Sequence, residues 1–264
     1  MHRPLYDQLV PYYELVEGRD WRKEVDLIVS ILKRTGSRTI IDLGCGPGHH
    51  VRELAKFGFK ATGIDISPPN IRFARNIARK EKIHSRFVVG SYYDYRPREK
   101  VDACLCLNWS IPTRDNELRR FLRNTRSILR LGGLLIFDFE RISDIVWKDL
   151  GKPIVSSWNL KELMIVRVSV GQMVKNVLHS RDVYILYPKR KSPRAPPDEK
   201  TRYAGSENAA LVRVYVDSSY VRFFSIPELR RFANQSGFEM VENYVLPRNS
   251  YKRYYAVLRK ETRN

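Results

Sequence analysis

Ile40-Ile41-Asp42-Leu43-Gly44-Cys45-Gly46-Pro47-Gly48 is an apolar run that ends in an acid and passes into a glycine-rich turn. Val51-Arg52-Glu53-Leu54-Ala55 follows with helical spacing, so the stretch reads as a strand, a tight loop and a helix N-terminus. Glycines at 44, 46 and 48 let the backbone turn sharply and let a ligand approach main-chain N–H groups with no Cβ in the way. The loop therefore points to an α/β fold with a nucleotide-like ligand. Its spacing is Gly-x-Gly-x-Gly, whereas the dinucleotide fingerprint is Gly-x-Gly-x-x-Gly.

The next apolar run, Ala61-Thr62-Gly63-Ile64-Asp65-Ile66-Ser67, reads as a second strand that also ends in an acid. It lies about 20 residues beyond the loop, where a carboxylate can accept both hydroxyls of a ribose. Further strands are expected at 86–89, 101–107 and 134–139, with a helix at 116–129 ended by Gly132-Gly133. Val25, Ile28, Val29 and Leu32 mark a helix ahead of the first strand. This alternation predicts a doubly wound Rossmann-like sheet, mostly parallel, whose ligand lies outside the carboxyl ends of the strands. The residues at those ends are Asp42 to Gly48, Asp65 to Ser67, Ser91-Tyr92, Asn108-Trp109 and Asp138 to Glu140.

From about residue 158 to 224 the pattern changes to β-type segments without intervening helices, expected at 163–170, 174–178, 183–187, 211–216 and 220–224. A helix at 228–234 and two strands at 238–245 and 251–258 close the chain, the strands pairing antiparallel at the sheet edge. The expected organisation is a core of residues 1–149 and 225–264, with 1–35 as a helical arm, and an inserted antiparallel β lid at 150–224 that holds the acceptor. The full core sheet has seven strands on this reading.

The chain carries 48 Lys and Arg against 29 Asp and Glu, a net charge of +19. A positive field favours anionic partners, nucleic acid among them, yet the excess is spread along the chain rather than gathered in one stripe. The basic, proline-rich stretch around 189–194 reads as a solvated loop in preference to an RNA contact. No apolar run is long enough to cross a membrane and the first residues lack a signal-peptide core. Three cysteines in apolar surroundings suggest a reducing cytoplasm. Cys104 and Cys106 share one strand face and read as small core residues, so no metal site is expected.

Several stretches together resemble the class I S-adenosylmethionine (SAM) methyltransferases, in the branch of the sugar N,N-dimethyltransferases and glycine N-methyltransferase-like enzymes. They are Tyr6-Asp7 with Pro11-Tyr12-Tyr13, the loop from Asp42 to His50, Thr62 to Ser67, Asp102 to Ser110, Leu131 to Asp138, and Phe223-Phe224-Ser225 leading to Gly237-Phe238. The resemblance implies SAM as cofactor. It implies that Gly44, Cys45, Gly46 and Gly48 line its methionine end, that Asp65 holds the ribose beside Ile66, and that Ser91 and Tyr92 flank the adenine. Asn108 would lie near the sulfonium, and Tyr13 would close over the methionine group.

Methyl transfer from a sulfonium chiefly requires alignment of donor and acceptor and exclusion of water. No residue stands out as a general base; Tyr13, His50 and Asp138 are the candidates, with Glu140 nearby. His179 and Arg222 are expected to meet the acceptor from the lid, Arg222 by pairing with an anionic group. The expected function is methyl transfer to an amine or hydroxyl of a small molecule, with an RNA or protein acceptor as the alternative. The sequence leaves the oligomeric state open, a homodimer included.

Overall fold

A computed structural model of the chain describes residues 4–17, 21–145, 147–189, 212–248 and 251–261. The first strand β1 (Thr39–Leu43) is flanked by β2 (Lys60–Asp65) and β4 (Val101–Cys106), and the sheet runs on to β3 (Arg86–Val89) on one side and β5 (Leu129–Arg141) on the other. All four of these pairings are parallel. The last strands, β10 (Phe238–Arg248) and β11 (Tyr251–Lys260), form an antiparallel pair, and β11 joins β5 antiparallel. The core is therefore the expected seven-stranded Rossmann-like sheet.

Strand pleating explains how the core is covered on both faces. Cys104 and Cys106 of β4 enter a cluster with Phe121 and Leu122 of α5 (Asp115–Ile128) and Phe232 of α6 (Ile226–Gln235). Ala103 and Leu105 enter the opposite cluster, with Ile28 and Leu32 of α2 (Trp21–Arg34), Leu54 of α3 (His49–Lys56) and Ile71 of α4 (Pro68–Lys80). The two cysteines are buried free thiols in an apolar layer.

Between β5 and α6 lie four antiparallel strands: β6 (Ile154–Asn159), β7 (Leu163–Val174), β8 (Val177–Pro188) and β9 (Arg213–Phe224). Their long continuous register replaces the five short segments expected. β6 had no clear alternation to announce it. β9 also pairs with the end of β5 through Glu140 and Arg141, which carries the sheet outward from the core. A third apolar cluster joins Ile165, Tyr184 and Leu186 of this sheet to Leu5, Leu9, Tyr13 and Val16 of the N-terminal arm. The arm thus lies against one face of the sheet, and Tyr13 opens the short helix α1 (Tyr13–Glu17).

The helix at 116–129 does not end at the glycine pair. Helix α5 stops at Ile128 and the chain enters β5 directly at Leu129. Gly132 and Gly133 sit inside β5, where the register against β4 jumps from Val101–Leu129 to Ala103–Leu134. The glycines absorb extra strand residues as a bulge rather than acting as a helix stop. No helix among the described residues is long and apolar enough to cross a membrane.

Candidate active site

The loop after β1 adopts the backbone that its glycines predicted. Gly44, Gly46 and Gly48 have φ of +84, +52 and +81°. A Cβ on Gly44 would lie 2.9 Å from the Ser110 side chain, and one on Gly48 2.5 Å from the Phe87 ring. The loop is tied to the second strand, because the amides of Gly44 and Cys45 both donate to the Ile64 carbonyl, at 2.8 and 2.9 Å.

Asp65 stands at the end of β2 and reaches back to this loop. Its Oδ2 accepts from the Gly46 amide at 2.8 Å and its Oδ1 from the Ser67 amide at 2.8 Å. Burial pushes its carboxyl up, and the bonds from Ser67, Gly46 and Asn70 pull it back. Beside it Ile66 is 76% exposed, an apolar side chain left open next to a fixed carboxylate. Ser91 caps the turn after β3 by accepting from the Tyr93 amide at 3.2 Å. Tyr92 packs edge-on to Phe121 and Tyr93, and its hydroxyl donates to the Ser110 carbonyl at 3.3 Å.

Asp42 is buried, and its Oδ2 has no hydrogen-bond partner among the described residues. Burial pushes its carboxyl up to about 6, Asp65, Glu24 and Asp138 reinforce the rise, and His50 opposes it. The native state therefore keeps a proton between about pH 4 and 6 that the unfolded chain has released, so Asp42 makes the folded protein less stable as pH rises through that window. Over about two pH units this amounts to on the order of 2 kcal/mol. Asp42→Asn should flatten that part of the profile, as measured by denaturant unfolding at pH 4.5 and 7 in the absence of ligand; an unchanged profile would remove Asp42 as its source.

A narrow cleft lies over the loop, lined by Tyr13, Trp21, Gly44 to Pro47, His49, His50 and Asn108. Next to it is a cavity of about 360 Å³ between the arm, the end of β5 and the inner face of the inserted sheet. Trp109, Glu140, Asp144, Arg167, Asp182 and Lys252 are among its polar lining residues. Tyr13 lines both spaces. Asn108 and Trp109 separate them in a turn where two successive non-glycine residues have positive φ, +64 and +59°. Such backbone is held only where the surroundings over-determine it.

What holds the turn is Arg253, a residue the sequence reading did not single out. Its guanidinium is buried, with Nη1 donating to Asn108 Oδ1 at 3.1 Å and 3.0 Å from Asp138 Oδ2, and it lies 4.8 Å over the Trp109 ring. Asp138 is thus engaged in an ion pair with Arg253. Next to this pair His50 Nε2 is 2.7 Å from Glu24 Oε1, and the Tyr255 hydroxyl donates to Glu24 Oε2 at 2.9 Å. Glu140 Oε1 accepts from Trp109 Nε1 at 3.0 Å and faces the cavity. Asp144 also lines it; burial works against its ionisation, but bonds from Tyr254 and Ser143 hold its carboxyl below the ordinary value, as an anion.

Two lid residues face away from the cavity. Val221 and Phe223 line it, and strand alternation sends Arg222 to the other side. There Arg222 is buried between Asp115 and Glu228, each at 2.7 Å. His179 meets Tyr220 edge-on at 4.9 Å on the exposed face of the sheet. The basic stretch at 190–194 lies outside the described residues.

Residues 40–133 match the family model of a methyltransferase domain. A putative methyltransferase of Geobacillus sp. (strain WCH70) is 28% identical over 122 residues, 45% of this chain and 49% of that protein. The glycine N-methyltransferase of Rattus norvegicus is 29% identical over 141 residues, 48% of each. The chain spans about half the length of the curated relatives it matches. Solved structures match over almost the whole chain. A SAM-dependent methyltransferase from Clostridium acetobutylicum superposes with TM-score 0.72 at 13% identity, covering 95% of this chain and 96% of that one. A sugar N-methyltransferase from Streptoalloteichus sp. does so with TM-score 0.71 at 19% identity, covering 93% and 92%. The fold is that of the class I SAM-dependent methyltransferases. The inserted sheet lies within this likeness, because the coverage extends well beyond residues 40–133.

Proposed function

We propose that the chain is a methyltransferase that uses SAM and acts on a small molecule presenting an amine. The observation that carries this reading is the meeting of a glycine-loop cleft and a separate cavity at one turn, with Tyr13 lining both. A ligand lying on the glycine loop and a small molecule in the 360 Å³ cavity would face each other across Asn108 and Trp109. The residues suit SAM on three counts. Asp42 offers a buried carboxylate oxygen with no hydrogen-bond partner among the described residues, suited to an ammonium. Asp65 is held by two main-chain donors, and its remaining lone pairs suit the hydroxyls of a ribose. Ile66 leaves an open apolar surface beside it for the base.

SAM, when bound, supplies a methyl group already activated on a sulfonium. The protein's own part is positioning. Tyr13 and Trp109 exclude water from the junction, and the Asn108–Trp109 turn keeps the two spaces in register. The cavity is lined by three carboxylates, Glu140, Asp144 and Asp182, against the two cations Arg167 and Lys252, although the whole chain is at +19. An acceptor with an ammonium group suits that lining better than an anion. Glu140, oriented by the Trp109 indole, is placed to take the proton that must leave an ammonium before its lone pair can react. A hydroxyl acceptor would need a stronger base than a carboxylate in this setting.

Thermal-shift titration tests the cofactor. Saturation at 100 times Kd adds about 2.7 kcal/mol, which raises the melting temperature by roughly 5–10 °C for a chain of this size. No shift at millimolar SAM would sink the reading. A second titration, with SAM present, compares small amines, small carboxylates and phosphates, and bulk tRNA over a salt series. Amines should add stabilisation. Tight tRNA binding with a steep salt slope would instead favour a nucleic-acid acceptor.

A further inference from the structure

Helix α4 is closed by a lysine at the position where glycine is the usual residue. The Lys82 amide donates to the Arg79 carbonyl at 3.2 Å and the Ile83 amide to the Ala78 carbonyl at 2.8 Å, the paired bonds of a Schellman turn. That turn needs a left-handed residue, and Lys82 supplies it with φ of +55°. A non-glycine side chain is held there at a cost, and such outliers gather at binding sites.

Lys82 lines an open groove of about 680 Å³ between the end of α4 and the start of β3. Arg75, Arg79 and Arg86 line it too, with His84 and Ser85, and no acid is among the lining residues. Glu81, the one acid between Asp65 and Asp94, turns instead to Arg52 and Lys56 of α3, at 3.6 and 3.4 Å. The four cations of the groove form no ion pair among the described residues. Arg75 and Arg79 stand one turn apart on α4, the spacing at which like charges repel. Arg75 is held in place, because Nε and Nη2 donate to the Phe87 carbonyl at 3.2 and 2.6 Å. That leaves about three of the five N–H groups of a guanidinium for another partner. Ser85 Oγ is shut off from solvent and has no hydrogen-bond partner among the described residues. A buried hydroxyl without a partner is costly, and a ligand oxygen in the groove would supply one.

We infer that this groove is a second ligand site, separate from the cleft on the glycine loop, and that it takes the diphosphate group of a small molecule. Its place in the fold keeps it separate. The glycine loop follows the carboxyl end of β1, whereas Ser85 and Arg86 stand at the amino end of β3, which runs parallel in the same sheet. β3 is also the outermost strand on that side. Guanidinium forks pair phosphate oxygens two at a time, and Lys82 adds a point charge. A single phosphate carries about −2, which leaves part of the charge of four cations unbalanced; a diphosphate meets more of it. A helix C-terminus ordinarily repels an anion. Here the carbonyls of Ile77, Ala78 and Arg79 are already engaged by the amides of Glu81, Ile83 and Lys82. Ala78, Ile83 and Phe87 complete the lining as an apolar wall, beside which the organic part of a ligand would lie.

Calorimetric titration of the full chain with pyrophosphate tests the site and needs neither SAM nor turnover. Pyrophosphate has no nucleoside to enter the glycine-loop cleft. The expected Kd is roughly 10–100 µM at about 50 mM salt. Lys82→Gly restores the usual residue of the turn, so it should melt no lower than wild type and yet bind about tenfold more weakly. Arg79→Glu with Arg86→Glu, both at exposed positions, should weaken binding about a hundredfold. ADP distinguishes the source of the diphosphate. Tighter binding than pyrophosphate, lost in the same variants, assigns a nucleotide, and equal binding assigns the free diphosphate. Neither heat nor a melting shift at millimolar pyrophosphate would overturn the inference, as would equal affinity for sulfate or unchanged affinity in both variants. RNA that binds through these cations and is not displaced by pyrophosphate would overturn it too, and would assign the groove to a nucleic-acid backbone.

Discussion

Replacing Asp65 with alanine is expected to lower SAM affinity about 100-fold while leaving the ligand-free melting temperature close to its starting value. The magnitude follows from the bonds at stake. A hydrogen bond to a charged group contributes about 1.5–3 kcal/mol, and losing one or two of them from a ribose costs about 3 kcal/mol, or two orders of magnitude in Kd. The carboxylate is already oriented without ligand, because Gly46 and Ser67 each donate a main-chain N–H to it. Oδ2 holds that one amide and keeps a second lone-pair site for a hydroxyl. Gly46 and Ser67 are half-buried, so water can reach their amides when the side chain is removed, which is why stability should change little. Asp65→Asn keeps the shape but loses the charge, and its loss should be smaller, about tenfold. Calorimetric titration reads both values; an alanine variant with wild-type affinity would take Asp65 out of the ribose site.

The proposed cofactor half of the site is legible in sequence because its requirements are local. A turn that needs positive φ at positions 44, 46 and 48 advertises itself by glycine, and an acid that ends a strand at position 65 follows at a fixed interval. The network beneath the junction has no such local signature. Arg253 sits among Tyr251-Lys252-Arg253-Tyr254-Tyr255, one cation among many in a basic chain. Its partners Asn108 and Asp138 are over a hundred residues away and come together only when β11 inserts beside β5. Glu24 is equally silent on an amphipathic helix, where an acid ordinarily faces water, yet here it is buried against His50 and Tyr255.

The lid departs from its expected pattern for a different reason. Breaking β9 at Asp217-Ser218-Ser219 discards its parity, and parity decides which residues reach the cavity. Read as one strand from 213 to 224, the sequence sends Ser219, Val221 and Phe223 inward and Tyr220 and Arg222 outward. Arg222 then belongs with Asp115 and Glu228, where it ties the lid strand to α5 and α6. The inward set is rich in small polar residues, Ser169, Ser180 and Ser219, which look unremarkable in sequence but leave the space that becomes the cavity.

Arg253→Ala should be the most destabilising single change at the site. Removing one partner of a buried ion pair leaves an uncompensated charge and costs about 3–5 kcal/mol. Asp138, 1% exposed, would be that charge, with Glu24 Oε2, 3.9 Å from the guanidinium, a weaker second partner. For a chain of this length the loss corresponds to a fall of roughly 10 °C in melting temperature. Cavity formation contributes too, so Arg253→Met, which keeps most of the volume, separates the two effects; a charge mechanism predicts that it remains strongly destabilised. Adding Asp138→Asn to Arg253→Met should then recover much of the loss, since the stranded carboxylate is gone, and the coupling energy from the four-member cycle measures the pair directly. Even the rescued double variant should turn over poorly, because Asn108 has lost its donor and the strained turn between the glycine-loop cleft and the proposed acceptor cavity is free to relax. The outcome that sinks this account is additive behaviour, in which Asp138→Asn costs the same whether or not Arg253 is present.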